Sequence, residues 1–350
     1  MSPQVTFKST EGHVPRASDG PLVDSTGRRV APAPRLSDVA QTPFVPSHGR
    51  APRRLPSPPA GLADLGPAAA LRVVGPDREK WLQGMQSNDL SAAPWGGAVA
   101  GAFLNGKGRL VAEGLLWRYP EQVLITTAAE RLEPLRAHLD RLLIMEDCEL
   151  ATAQDLWRLR FHPGASAPRL ALDDAAGGQS LDLAGSLQPL GFEMLLSEPD
   201  AQEVLRALPE RPRLDSVEAW RVAIGVPEWG TELDAETTAL EAGLDRELSF
   251  SKGCYVGQEV VAMATFRGRV SWNLVRLEVD GPAPRPGARL GEGAKGRVTS
   301  AVQVGDLAVL LGYVHKELIV PGSKVALEDG RQATVLGLPY GSQPGAGVCA

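Results

Sequence analysis

The sequence predicts an α+β protein that ends in a small all-β part. From about residue 62 to residue 267, apolar strand pairs mix with amphipathic helices, without the strand–helix–strand repeat of a parallel sheet. After Gly268 the helical periodicity stops. Short apolar runs separated by Gly, Pro and Asp take over, as in an antiparallel barrel or sandwich.

The elements follow in chain order. Residues 1–60 hold 11 of the 29 prolines and eight Lys/Arg against four Asp/Glu, so they read as a disordered Pro/Arg-rich tail. A first α+β domain is expected over 61–147. In it, "AALRVVGPDREKWLQGMQSNDL" is a strand and then a helix, with Gly75 at the turn and Pro76 suited to the first helical position. Strands follow, joined by turns at "NGKG" and "YPEQ". Leu132, Leu135, Leu139, Leu142 and Leu143 then recur at helical spacing. A second α+β domain is expected over 148–267. Its strands are "LWRLRFH", "PRLALD" and "GFEMLLS", and its helices are "DAQEVLRAL", "DSVEAWRVAIG" and "GQEVVAMATF". The barrel is expected over 268–338, with a loose tail over 339–350.

Bulk properties exclude several classes. A net charge of −6 without a basic stripe argues against direct nucleic-acid binding. No apolar run is long enough to span a membrane, and the N-terminus lacks a secretory layout. Cys148, Cys254 and Cys349 are too few and scattered for a disulfide framework, which fits a reducing cytoplasm. The five histidines are isolated, so no permanent metal site is expected. "GEGAKG" at 291–296 has dinucleotide-loop glycines, but a strand follows where a helix is required, so it reads as a hairpin loop.

Two stretches invite a chemical reading. In "FSKGCYVGQEVV", Cys254 has Lys252 two residues before it, Gly253 and Gly257 around it, and a helix beginning after it. A cation and a helix N-terminus both stabilise a thiolate. A tight loop with a small buried cysteine is the competing reading, and the residues leave both open. In "VEAWRVAIGVPEWGTEL", Trp220, Arg221, Trp229 and Glu232 offer aromatic walls, a cation and a carboxylate for a flat heteroaromatic ligand. Val217, Trp220 and Ile224 also share one helix face, so on the residues alone core packing is the stronger reading.

The whole stretch "SFSKGCYVGQEVV" resembles the signature of the YgfZ family of folate-binding proteins, relatives of the glycine-cleavage T-protein, an aminomethyltransferase. "VVGPDREKWLQGMQSNDL", "AFLNGKGRLVAEGLLWR" and "WRVAIGVPEWGTELDAETTALEAGL" resemble further family blocks, in order, and the likeness runs from about Leu62 to Leu338. The resemblance implies a three-domain ring of two α+β domains and a C-terminal antiparallel β-barrel around a folate-binding hole. It implies a role in assembling or repairing iron–sulfur proteins, including tRNA-modifying ones, with iron–sulfur client or assembly proteins as partners. Lys252, Cys254, Tyr255, Gln258 and Glu259 take motif positions, and Trp220 matches a folate-contacting tryptophan. The cofactor implied is tetrahydrofolate or a derivative, with Arg221 and Glu232 as further contacts. Ala223 stands where the T-protein pattern has a pterin-holding glutamate, which implies weak binding: loss of a charged hydrogen bond costs about 1.5–3 kcal/mol. The rival reading is a tetrahydrofolate-dependent aminomethyltransferase, or one-carbon transferase, with Glu113 as its acid. A third is a non-catalytic scaffold for iron–sulfur clients.

Overall fold

The computed structural model describes residues 50–162, 185–186, 191–267 and 270–339. The tail expected over 1–60 falls outside these up to residue 49. The strand expected at "PRLALD" and nearly all of the expected C-terminal tail also lie outside them.

The first sheet is antiparallel, in the order β3 (Ala98–Leu104), β4 (Leu110–Arg118), β5 (Gln122–Thr127), β2 (Ala70–Val74), β6 (Glu149–Ala153). Helices α1 (Arg78–Met85) and α2 (Leu132–Asp140) pack on it. Leu71, Phe103 and Leu116 from the strands meet Trp81, Leu82, Leu135 and Leu139 from the helices in one core. The second sheet runs β1 (Leu62–Pro67), β7 (Leu156–Phe161), β9 (Phe192–Ser197), β8 (Gly185–Ser186). Helix α3 (Glu198–Ala207) covers it through Ala201, Val204 and Leu205, and the Ser197 hydroxyl accepts from the Asp200 amide at its start. The two sheets exchange strands across residue 148. β1 precedes every strand of the first sheet yet forms the edge of the second, and β6 follows 148 yet completes the first.

The third sheet, with six strands, runs β11 (Arg289–Leu290), β12 (Gly296–Val304), β13 (Leu307–His315), β10 (Trp272–Asp280), β15 (Gln332–Gly337), β14 (Lys324–Ala326). An antiparallel bridge from Leu290 to Leu327 brings its two edges together, so the sheet is a nearly closed barrel. "GEGAKG" is the connection between β11 and β12, a hairpin loop. The expected α+β class with an all-β C-terminal barrel is borne out.

Residues 50–54, read from the sequence as tail, are strapped to this barrel. The Arg50 amide donates to Leu336 O, Arg53 donates to both carboxylate oxygens of Glu278 and to Asp280, and Arg54 pairs with Asp306. Glu278 is buried, so its charge requires this partner.

Helix α4 (Leu214–Ile224) joins the second sheet to the barrel and ends at Gly225, whose φ of +87° suits glycine at a helix terminus. Val222 packs on Leu274, Leu311 and Tyr313, and Ala223 on Leu307 and Val309. The loop after α4 touches the first sheet and the barrel. The Leu110 amide donates to Thr237 O, the Leu274 amide to Glu241 O, and the Tyr313 hydroxyl to Glu232 O. Among the described residues no helix is long and apolar enough to cross a membrane.

Candidate functional site: the Lys-Gly-Cys loop

Cys254 lies on a loop locked to the first sheet's edge. The loop starts in a 3-10 turn, Asp245–Glu247. Ser87 donates its hydroxyl to Glu247 O, and the Asn88 amide group donates to Arg246 O and Ala100 O. The Ser249 amide donates to Ser87 O, and the Val256 amide to Gly84 O. Helix α5 (Gln258–Arg267) follows. At Gly257 the φ is +83°, and a Cβ would lie 2.8 Å from Asn105 O. The "NGKG" turn presses back: a Cβ on Gly108 would lie 2.8 Å from Val260. Glycine at both places lets the helix start and the turn meet at backbone distance.

The thiol of Cys254 is free and exposed. Cys148 is half-buried, and burial, with Glu146, Asp77 and Asp147 nearby, pushes it up to about 11. Cys349 lies outside the described residues. Cys254 is therefore the described cysteine that a partner can reach.

Lys252 does not serve as the thiol's cation. Its ammonium points into the first domain and donates to Gln86 O at 2.7 Å, Asn88 O at 2.6 Å and Gln83 Oε1 at 3.4 Å. Burial pushes its pKa down to about 8, opposed by Asp89. It is a clamp across the loop. Tyr255 is buried in the cluster that includes Leu104, Leu110, Trp229, Leu240, Leu244 and Val261, and burial pushes its hydroxyl up to about 12. Lys252 Nζ stands 5.3 Å from the Tyr255 ring centroid. Gln258 and Glu259 open α5, Gln258 half-buried and Glu259 exposed.

Trp220, Arg221 and Glu232 form no ligand wall, which corrects the expectation for them. Trp220 is 2% exposed. Arg221 donates to Glu232 Oε2 at 2.9 Å, to both oxygens of Glu218, to Val226 O and to Ser300 Oγ. Ser300 in turn donates to Glu232 Oε1 at 2.6 Å, and the Glu228 amide to Glu232 Oε2. Both charges are buried and spent on each other, fastening α4 and its loop to the barrel. Ala223, where the resemblance leads one to expect a glutamate, is closed over by barrel side chains. These residues do not fit a folate.

Glu113 lies on β4 beside Gly114, where a Cβ would clash with Thr126 O. Burial pushes it up to about 7, aided by Glu247 and opposed by Arg158. Burial also pushes Glu247 up to about 7. Arg158 belongs to a second buried set: burial favours a neutral Glu193, but Arg158 and Arg160 hold that carboxylate below its usual range. Two carboxylates that titrate near neutrality and repel each other can hold a proton or face an amine. Sequence reasoning missed Glu247. Nothing in "DRELSF" marks it, because its significance comes from a residue on a distant strand. Among the described residues no group of three or more His, Cys, Asp or Glu is arranged to hold a metal.

Comparison with known proteins gives a consistent set. The chain is 27% identical over 325 residues to a tRNA-modifying protein YgfZ of Serratia proteamaculans, covering 85% of this chain and 97% of that one. It is 29% identical over 286 residues to an aminomethyltransferase of Rubrobacter xylanophilus, covering 74% and 77%. It is 26% identical over 275 residues to a mitochondrial iron–sulfur cluster assembly factor of Mus musculus, covering 72% and 76%. No protein-family model matches. Among solved structures, the aminomethyltransferase T of the glycine cleavage system from Bartonella henselae matches with a TM-score of 0.66 at 20% identity, over 90% of this chain and 93% of that one. That likeness concerns the fold.

Proposed function

With the chain placed among the YgfZ relatives of the aminomethyltransferases, we propose that it is a factor for assembling or repairing iron–sulfur proteins, working through Cys254. The observation that carries this is a free, exposed thiol on a loop held rigid by Lys252, Ser87 and Gly257. A soft thiolate is the ligand that transient iron or cluster handover needs. A rigid support presents it to a partner without a large ordering cost. The named roles of two relatives, tRNA modification and iron–sulfur cluster assembly, support the same reading for this chain.

A second reading has its own observation. The Glu113–Glu247 pair, poised near neutral pH, suits an acid that positions an amine, as a one-carbon transferase requires.

Gene deletion and complementation separate the two. Deletion is expected to lower the activity of cluster-dependent enzymes, tRNA-modifying ones among them. Cys254→Ser should fail to restore it, because a hydroxyl is a poor ligand for iron. Glu113→Gln should restore it at least in part. The opposite ranking, together with release of a methylene-folate product, would establish the transferase instead. In the purified protein, Cys254 should be alkylated faster than Cys148 at neutral pH, and equal rates would remove the accessible-thiol premise.

A further inference from the structure

The outer face of the barrel holds a built site that neither the cysteine loop nor the Glu113–Glu247 pair uses. Three carboxylates define it: Glu278 and Asp280 on β10, and Asp306 in the turn between β12 and β13. A fourth acceptor comes from β15. That strand pairs with β10 through Gly337 and then Val335, so Leu336 is the extra residue of a bulge, and its carbonyl accepts from the Arg50 amide.

Glu278 makes the strictest demand. Its side chain is 5% exposed, and among the described residues Arg53 is the cation that pairs with it. Arg53 gives it two bonds of 2.8 Å, one from the backbone amide and one from Nε, while Nη2 reaches Asp280 at 2.8 Å. A lysine has no such planar fork, so the two carboxylates select arginine.

The segment that fills the site is held lightly. Residues 50–54, Arg-Ala-Pro-Arg-Arg, form no helix or strand, and Pro52 alone among them is buried. Arg53 and Arg54 are more than half exposed, and Asp280 and Asp306 more so. Ion pairs at that exposure are worth about 0–1 kcal/mol each. Two effects therefore oppose each other. Buried Glu278 is costly to leave without a cation, yet little apolar burial anchors the segment that supplies one. Such a site resists being emptied but allows its occupant to be exchanged.

We propose that this face of the barrel is a docking site for an extended, arginine-bearing segment of a partner protein, spaced Arg-x-x-Arg-Arg, and that residues 50–54 hold it in cis until such a segment displaces them. The chain's own segment is the pattern for what fits. Pro52 fixes one backbone angle and pushes Ala51 toward an extended form, so docking costs little ordering. The carboxylates favour a basic partner over an acidic one. Tethering gives the cis segment an effective concentration on the order of millimolar, so a free segment competes poorly while Arg53 holds. The inference goes beyond the proposal for Cys254 and does not rest on it.

The probe is a labelled synthetic peptide of residues 50–57, Arg-Ala-Pro-Arg-Arg-Leu-Pro-Ser, acetylated so that the Arg50 nitrogen stays an amide. Fluorescence anisotropy with the full chain reads its binding. Arg53→Ala in the chain frees the site and should bind the peptide more tightly than wild type by about tenfold or more, the more weakly the higher the salt. Adding Glu278→Gln to Arg53→Ala should abolish binding, and a peptide carrying Arg53→Ala should bind neither protein. Arg53→Ala leaves Glu278 without its cation, so this variant should melt earlier than wild type. Millimolar peptide should raise its Tm and leave that of wild type unchanged, a readout that holds even where the variant folds poorly alone. Cys254→Ser should change none of these results, so failure of the iron–sulfur proposal would leave this one standing. Absence of both saturable binding and a rise in Tm for Arg53→Ala at millimolar peptide would overturn the proposal. So would equal binding by wild type and Arg53→Ala, or binding that survives Glu278→Gln.

Discussion

Replacing Lys252 by Met tests whether this lysine is a clamp or the activator of the thiol. Methionine keeps the length of the side chain and removes the donors. Gln86 O and Asn88 O then lose bonds of 2.7 and 2.6 Å from a charged group. A hydrogen bond to a charged group is worth about 1.5–3 kcal/mol, and relief of the desolvated ammonium offsets part of the loss. A net destabilisation of about 2–3 kcal/mol is expected, roughly 4–10 °C in Tm by the scaling for mid-sized domains. The pH dependence adds a sign. The folded-state pKa of about 8 lies below the ordinary lysine value of 10.5, so between these pH values the unfolded chain binds more protons. Folded stability from this group therefore rises with pH across that window, and below pH 8 the contribution is constant. The wild type should pull ahead of Lys252→Met by a further ~1–2 kcal/mol between pH 8 and 10.5, the half-buried position reducing the full linkage value. Thermal denaturation of both proteins across this range is the assay. Equal stability would refute the clamp, and a gap that closes as pH rises would refute the lowered pKa of Lys252. Alkylation supplies the second readout. With the ammonium facing carbonyls, Cys254 labelling in the variant should stay within about twofold of wild type, and a tenfold slowing would return Lys252 to the role of thiolate cation.

Two further outcomes follow from burial. Glu113 is raised to about 7, so the folded state binds more protons than the unfolded one between pH 4.5 and 7, and stability falls as pH rises through that window. Glu113→Gln should be more stable than wild type at pH 8, by on the order of 1–3 kcal/mol, and nearly equal to it at pH 4.5; denaturant midpoints showing no pH-dependent gap would contradict this. Ala223→Glu puts a carboxylate at a fully buried site against Leu307 and Val309. It should lower Tm markedly, by several kcal/mol of lost stability, without gain in reduced-folate affinity; a stable variant that binds tightly would overturn the placement of that helix.

The elements with strong periodicity were legible in the sequence, and the misses have physical causes. The "NGKG" and "YPEQ" hairpins and the barrel runs appear where turn residues and apolar alternation put them. β1 was not legible because "LADLGP" carries a glycine, a proline and a bulge between Asp64 and Gly66. β6, "ELATA", is an edge strand with mostly exposed residues, so burial left little alternation to read. The cysteine loop was legible as a motif, because its glycines and lysine are close in sequence. The direction of Lys252 was not, since its acceptors lie on the segment after α1. The error at Trp220, Arg221 and Glu232 has one origin. A stripe such as Val217–Trp220–Ile224 predicts one buried face, but the barrel covers the C-terminal half of α4 from another side, through Val222 and Ala223. A charged residue on that second face must bring its own counter-charge into the interior, and Glu232 is that counter-charge. The same pair that looks like a ligand pocket in one dimension is thus the joint that holds the barrel in place, through Ser300 on β12.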